Sequence, residues 1–126
     1  MRCRIRKKEV METPEELVRQ HVLNHLIDDL HYPSSLISVE KALLHFNKSA
    51  PKRRLDILVF NEQLNPYLLI ECKSHPLTAL CFNQVQSYNF FVKAPLVALV
   101  NEREVRLAKR MQGEWVFFDR FPEYLT

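Results

Sequence analysis

Two apolar segments separated by a short polar loop constrain the fold of this 126-residue chain more than any other feature. Residues 53–60 and 67–73 are mostly apolar, and the loop between them contains Asn61, Asn65 and Pro66. Apolar runs flanking a loop of turn-forming residues are the pattern of a β-hairpin. We therefore predict two paired antiparallel strands in the middle of the chain.

This hairpin brings acidic side chains together. If Phe60 faces Tyr67, the same register places Asp56 directly opposite Glu71, with Cβ atoms about 5 Å apart. Like charges at that separation destabilise a sheet unless a cation lies between them. Oxygen ligands suit Mg²⁺ or Mn²⁺ rather than zinc, and strand alternation puts Lys73 on the same face as Glu71. The hairpin therefore predicts a site for a divalent cation.

Composition narrows the class of protein. Lys and Arg number 18 against 15 Asp and Glu, a net charge of +3, so a nucleic-acid surface requires local clustering of basic residues. A lone glycine, Gly113, argues against glycine-rich phosphate loops and dinucleotide fingerprints. Three cysteines without C-x-x-C spacing, Cys3, Cys72 and Cys81, favour a reducing compartment, and we expect a cytoplasmic protein with no membrane segment or signal peptide.

The rest of the chain reads as a single domain, 1–126, that opens with a basic N-terminal arm, residues 1–12. Thr13 as N-cap, Pro14 at the first helical position and Glu16 in a capping box predict a helix that runs to about Leu30. The further predicted elements are a strand at 36–46, a basic loop at 48–53, the hairpin, a helix at 76–92, a buried strand at 95–100 and weaker strands at 102–107 and 115–118. Helix, three strands, helix and strand make an α/β sandwich.

An acid followed by acid-x-Lys across a hairpin, here Asp56 and then Glu71-Cys72-Lys73, resembles the signature of the PD-(D/E)xK nuclease superfamily. Leu55 stands where that signature has its proline, which removes no ligand. Further matching motifs are Thr13–Gln20, Tyr32-Pro33, Ile37–Glu40, Arg54–Ile57, Leu69–Lys73 and Gln84–Asn89. Together, over roughly residues 4–101, they resemble the N-terminal nuclease domain of type I restriction endonuclease R subunits. The resemblance implies a restriction-endonuclease-like α/β/α sandwich around a central mixed sheet.

The resemblance also implies a metal site. Asp56 and Glu71 would hold Mg²⁺ or Mn²⁺, with the backbone carbonyl of Cys72 as a further ligand. A water at the ion would attack a phosphodiester phosphorus. Lys73 would activate that water or offset charge on the phosphorus.

Two helices would complete this site. Relatives add an acid from the first helix, and both Glu15 and Glu16 match that segment, although helix phase favours Glu15. One of the two must cap the helix in either case. Gln84 and Tyr88 on the second helix would support the metal site and contact the nucleic-acid backbone, but Tyr88 is equally typical of a core residue.

Each assignment has a plainer alternative. Asp56 is also what a strand-entry acid paired with Arg53 or Arg54 would look like. A basic loop comprising Lys48, Lys52, Arg53 and Arg54 would grip phosphates, although a solvated charge run is the commoner reason for such a loop.

The sequence thus predicts a metal-dependent nuclease domain that hydrolyses phosphodiester bonds in nucleic acid, with DNA as the expected substrate. A non-catalytic nucleic-acid-binding or protein-docking module of the same fold is the alternative. In restriction complexes such a domain is joined to a helicase or translocase motor, for which this chain is too short, so a stand-alone nuclease and a piece of an assembly are both open. No motif decides between DNA and RNA, single and double strands, or endo- and exonuclease cleavage.

Overall fold

A six-stranded mixed sheet lies at the centre of the molecule in the computed structural model, which describes residues 1–125. Its strands are β3 (Ile37–Ala42), β4 (Arg54–Phe60), β5 (Pro66–Cys72), β6 (Leu96–Val100), β7 (Val105–Met111) and β8 (Glu114–Phe118). Two short strands at the N-terminus, β1 (Arg2–Cys3) and β2 (Lys8–Glu9), form a separate two-stranded sheet. The six strands β3 to β8 are neighbours in chain order, and all pairs are antiparallel except β5 and β6. The parallel pair requires a crossover, which a helix supplies. The predicted α/β class with a mixed sheet is confirmed.

The first helix, α1 (Pro14–Asn24), continues through a π-helical turn at His25–Asp29, close to its predicted end. Thr13 caps it as predicted, since its Oγ1 accepts the backbone N–H of Glu16 at 3.1 Å. Such a cap contributes about 1 kcal/mol. The capping box is only half formed, because the N–H of Thr13 donates to the carbonyl of Met11 instead. The Glu16 side chain is therefore free for another role.

The second helix, α2 (Ala79–Val92), is the crossover between β5 and β6. It begins three residues later than predicted, with Thr78 as its N-cap accepting from the N–H of Cys81 at 3.3 Å. Lys93 ends it in the left-handed conformation. Short 3₁₀ turns at Ser34–Leu36 and Leu43–His45 flank β3, which is shorter than the predicted strand at 36–46.

One helix packs on each face of the sheet. The core on the α1 face includes Val18, Val22, Leu23 and Leu26 from α1 with Ile57, Val59, Leu68 and Ile70 from the sheet. The core on the α2 face includes Val85, Tyr88 and Val92 from α2 with Leu58, Leu69, Val97 and Leu99. These two layers of apolar contacts make an α/β/α arrangement and fix both helices over the sheet.

The basic N-terminal segment folds onto the domain. Strands β1 and β2 pair through Arg2 with Glu9 and Cys3 with Lys8. The Cys3 side chain is fully buried, and Ile5 packs against the core on the α1 face. This packing brings Arg6 to the surface of α1.

The predicted hairpin is present, but its turn differs from the prediction. Pairing of Ile57 with Ile70 confirms the predicted register in the strands. At the turn the register shifts and Phe60 faces Pro66 rather than Tyr67. The shift accommodates a loop organised by Asn61, whose Oδ1 accepts two backbone N–H groups at 3.0 Å.

None of the helices in residues 1–125 has both the length and the apolar character of a transmembrane span.

Candidate active site

Strands β4 and β5 part where their acidic residues begin. Backbone pairing between the two strands ends at Ile57 and Ile70. Beyond this point, carboxylate oxygens rather than backbone carbonyls accept the backbone N–H groups. Oδ2 of Asp56 accepts the N–H of Cys72 at 2.8 Å, and Oε1 of Glu71 lies 3.4 Å from the N–H of Asp56. Both acids are only 6% exposed. The structure therefore brings together the two carboxylates that the sequence predicted to be neighbours.

Burial changes the protonation of this pair. Loss of solvent, and then the nearby charge of Asp56, raises the pKa of Glu71 to about 9. At neutral pH the Glu71 carboxyl therefore keeps its proton in the metal-free domain.

We expect Glu71→Gln to stabilise the metal-free domain. The pKa of Glu71 is about 9 in the fold against an ordinary 4.5, so between these values the folded state binds one proton more than the unfolded chain. The free energy of unfolding is therefore highest below pH 4.5, falls as the pH rises above this value, and stops falling once the pH exceeds the folded-state pKa of about 9. Glutamine does not titrate, so the variant should melt about 3 °C or more above the parent at pH 8 in EDTA, and the gap should widen from pH 5 to pH 9.

Glu62→Gln is the matched control, since Glu62 is exposed in the loop of the same hairpin. It should follow the parent at every pH. A lower melting temperature for Glu71→Gln than for the parent would mean that the Glu71 carboxylate is held by a structural partner.

Lys73 follows the acids directly and is joined to α2. Its Nζ donates to Oε1 of Gln84 at 2.7 Å, while its backbone N–H donates to the carbonyl of Val100. The charge of Lys73 is close enough to lower the pKa values of both Glu71 and Glu15, against the larger raising effect of burial. The predicted residues Lys73 and Gln84 therefore share one site with the acidic pair.

The two acids of α1 have different surroundings. The pKa of Glu15, an exposed residue in the first turn of α1, is raised by partial burial and then by the charge of Asp56. Glu16 is buried among other partners, accepting from Arg6, from Arg19 at 2.9 Å and from Gln20 at 3.1 Å. Burial acts against ionisation of Glu16, but these donors hold its pKa below the ordinary value. Glu16 is thus occupied by the donors around it, and the role of Glu15 as the acid from the first helix, which helix phase favours, stays a prediction.

Two residues of this region were not assigned from the sequence. Arg19, 6% exposed, donates to Oδ1 of Asp56 at 2.6 Å and reaches Oε1 of Glu40 at 3.3 Å. The β3–β4 register sets Glu40 across from Asp56, yet these two residues are skipped in the ladder. Glu40 has φ 60°, a left-handed conformation that costs about 1–3 kcal/mol in such a side chain. Both residues lie within motifs of the family resemblance, Thr13–Gln20 and Ile37–Glu40, but those motifs gave neither of them a role.

The donor atoms present suit a hard divalent cation. Asp56 and Glu71 supply carboxylate oxygens, and within residues 1–125 no three His, Cys, Asp or Glu side chains form a metal-binding group. Burial raises the pKa of the Cys72 thiol well above its usual range, so this side chain is a neutral thiol rather than a thiolate ligand. Two carboxylates, a backbone carbonyl and waters would make an oxygen-only set, which fits Mg²⁺ or Mn²⁺.

The predicted nucleic-acid contacts separate into exposed and buried groups. Lys48, Lys52 and Arg53 are exposed in the loop before β4. Arg54 is exposed too, but its Nη1 donates to the carbonyl of Glu40 at 3.0 Å. Tyr88 is 8% exposed and packs in the core on the α2 face, so the structure gives it a packing role.

Comparison with known proteins adds a family. The model of a family described as "Type I restriction enzyme R protein N terminus" matches residues 14–122. The match spans α1, the acidic hairpin, α2 and all strands from β3 to β8. No curated protein matches the chain.

Proposed function

Because the chain belongs to the family of type I restriction enzyme R protein N termini, we propose that it is a metal-dependent nuclease domain that hydrolyses phosphodiester bonds in DNA. The observation that carries this proposal is the buried contact between Asp56 and Glu71 beside Lys73. Two acids and a lysine at the end of one hairpin are the groups that a hydrolytic metal site requires. An ordinary structural ion pair would need only one of the acids.

Each side chain has a chemical task in this proposal. Asp56 and Glu71 would hold the ion together with the carbonyl of Cys72, and Glu15 in the first turn of α1 would add a further acid, since partial burial and then the charge of Asp56 already raise its pKa. When bound, Mg²⁺ would polarise a phosphate oxygen and lower the pKa of a water molecule. Lys73 directs its ammonium group at the charge that develops on the phosphate.

Gln84 holds Lys73 in position. The 2.7 Å bond from Nζ to Oε1 restrains a side chain that otherwise has many rotamers. The amide of Gln84 also retains two N–H donors for a substrate oxygen. This residue therefore acts on catalysis more than on binding.

The experiment that tests the function is a cleavage assay on supercoiled plasmid and on single-stranded DNA with Mg²⁺, with Mn²⁺ and with EDTA. We expect cleavage with either metal, none in EDTA, and none detectable for Asp56→Ala. Asp119→Ala is the matched control, since the side chain of Asp119 is 88% exposed and should be dispensable. If the parent cuts neither substrate with either metal, the domain is a binding or docking module instead.

The surroundings of the domain follow from the same proposal. Because the family is described as the N terminus of the R protein of type I restriction enzymes, we propose DNA and a motor or other assembly subunit as partners. Cys3, Cys72 and Cys81 are free and buried, in keeping with a reducing, cytoplasmic compartment.

Neutralising the basic loop should weaken DNA binding without regard to sequence. Lys48 and Lys52 are exposed, and we expect the Lys48→Gln, Lys52→Gln double variant to bind several-fold more weakly to every duplex. Each lost phosphate contact should also reduce the slope of log affinity against log salt by about one. Fluorescence anisotropy across a salt series measures both.

Gln84→Ala provides the contrast. It removes no charge, so we expect a near-normal salt slope together with reduced cleavage. Lys93→Gln, an exposed change at the far end of α2, controls for lost charge.

If the Lys48→Gln, Lys52→Gln variant has unchanged affinity and salt slope, the basic loop is merely solvated. The DNA path would then be sought along the basic N-terminal arm, which forms β1 and β2.

A further inference from the structure

The guanidinium of Arg19 has no role in the reaction proposed above. It is buried and contacts three carboxylates, Glu16 at 2.9 Å, Asp56 at 2.6 Å and Glu40 at 3.3 Å. Its Nε has no hydrogen-bond partner among residues 1–125. Both Nη atoms are engaged by acids, Nη1 by Glu16 and Nη2 by Asp56 and Glu40.

These contacts fix the orientation of Asp56. Arg19 holds its Oδ1, while the N–H of Cys72 donates to its Oδ2 at 2.8 Å. Because Glu16 and Glu40 anchor Arg19 from α1 and β3, the carboxylate is held from two directions. An acid that is fixed before an ion arrives needs no reordering to bind it.

We propose that Arg19 is a positioning residue that acts as a built-in counter-ion of the metal site, an inference that rests on the proposed function. Without metal, the guanidinium offsets the charge of Asp56 and keeps this carboxylate in its ligating orientation. When a divalent cation binds Asp56, the same guanidinium stands one carboxylate away and repels it. Arg19 thus makes the metal-free domain stable and keeps the affinity for the ion moderate.

Electrostatics gives the direction of the effect. Charges a few ångströms apart interact strongly where burial limits screening by water. Removing Arg19 deprives the metal-free state of an attraction and the metal-bound state of a repulsion. The loss of Arg19 should therefore destabilise the metal-free domain but increase its affinity for the ion.

The test compares the full chain with Arg19→Gln. Mn²⁺ is titrated by calorimetry at pH 8, and thermal melts are recorded in EDTA and in saturating Mn²⁺. For Arg19→Gln we expect a lower melting temperature in EDTA, a larger rise on adding Mn²⁺ than in the parent, and a Kd for Mn²⁺ lower by about tenfold or more. Arg4→Gln is the matched control, because Arg4 makes an exposed pair with Asp28 at 3.0 Å and should leave the Kd unchanged.

Arg19→Lys covers the possibility that Arg19→Gln does not fold. It keeps the charge and loses the planar fork, so its Kd for Mn²⁺ should stay within about threefold of the parent. A tenfold change in the Kd of Arg19→Lys for Mn²⁺ would overturn the proposal. So would an unchanged Kd in Arg19→Gln together with equal destabilisation in EDTA and in Mn²⁺, because Arg19 would then have only a structural role. If the parent itself binds no Mn²⁺, the metal site is wrong, whereas normal parent binding with an unchanged Kd in Arg19→Gln overturns only the role of Arg19.

Discussion

Lys73→Ala is expected to reduce DNA cleavage by roughly 10²-fold to 10³-fold while the domain stays folded and binds Mn²⁺ with near-parental affinity. The reason is that the ammonium group does not ligate the ion. It lies beside the acids, where its bond to Gln84 restrains it, and it stabilises charge only as the phosphate reacts. Single-turnover cleavage at saturating Mn²⁺, together with calorimetric titration of the same preparations, separates the two effects.

Lys109→Ala is the matched control for this variant. Lys109 is exposed on β7 and pairs with Leu96, at the opposite end of β6 from Val100, whose carbonyl accepts from the backbone of Lys73. Cleavage by this control should equal that of the parent. Undiminished cleavage by Lys73→Ala would exclude the proposed chemistry, and a large loss of Mn²⁺ affinity in that variant would mean that Lys73 shapes the metal site itself.

The strand pairing could be predicted because a short polar loop between two apolar runs leaves few ways to close the hairpin, and Ile57 pairs with Ile70 as expected. Both faces of β4 and β5 are buried under helices, so polar–apolar alternation does not specify this register. The turn was predicted less well, because the side chain of Asn61 rather than backbone pairing organises the loop. Local side-chain hydrogen bonds of this kind leave no periodic trace.

The contact between Asp56 and Glu71 was predicted, but the end of backbone pairing beside these two acids was not. That Asp56 and Glu71 are neighbours follows from the register alone. The two strands separate at this point because carboxylates accept the backbone N–H groups there. The alternation of residues along a strand does not predict such hydrogen bonds.

Arg19 and Glu40 illustrate the limit most clearly. An arginine on a helix is usually exposed, and only the placement of α1 over the sheet buries Arg19 against Asp56. Glu40 occupies a strand in the sequence pattern, but its left-handed backbone takes it out of the ladder. Both contacts are tertiary, because they join α1, β3 and β4.

Removing both acids is expected to abolish Mn²⁺ binding. In Asp56→Ala, Glu71→Ala, the site would retain a backbone carbonyl and Glu15, which are too few charged ligands to hold a divalent ion against its hydration. The isosteric pair Asp56→Asn, Glu71→Gln should lose binding in the same way, and its amides preserve the volume of the two buried side chains. Calorimetry at pH 8 measures the loss, and thermal melts in EDTA establish that each variant is folded.

The isosteric variant makes this result decisive. If the alanine variant alone lost binding, a collapsed site around the now unpaired Arg19 would explain the loss equally well. The amide replacements keep the side-chain volumes, and Asp56→Asn keeps one of the two oxygens that accept from Arg19 and from the N–H of Cys72, so the loss of negative charge becomes the main difference. Mn²⁺ binding that survives in the folded amide variant would place the ion elsewhere in the molecule, and Asp56 would then be a structural partner of Arg19.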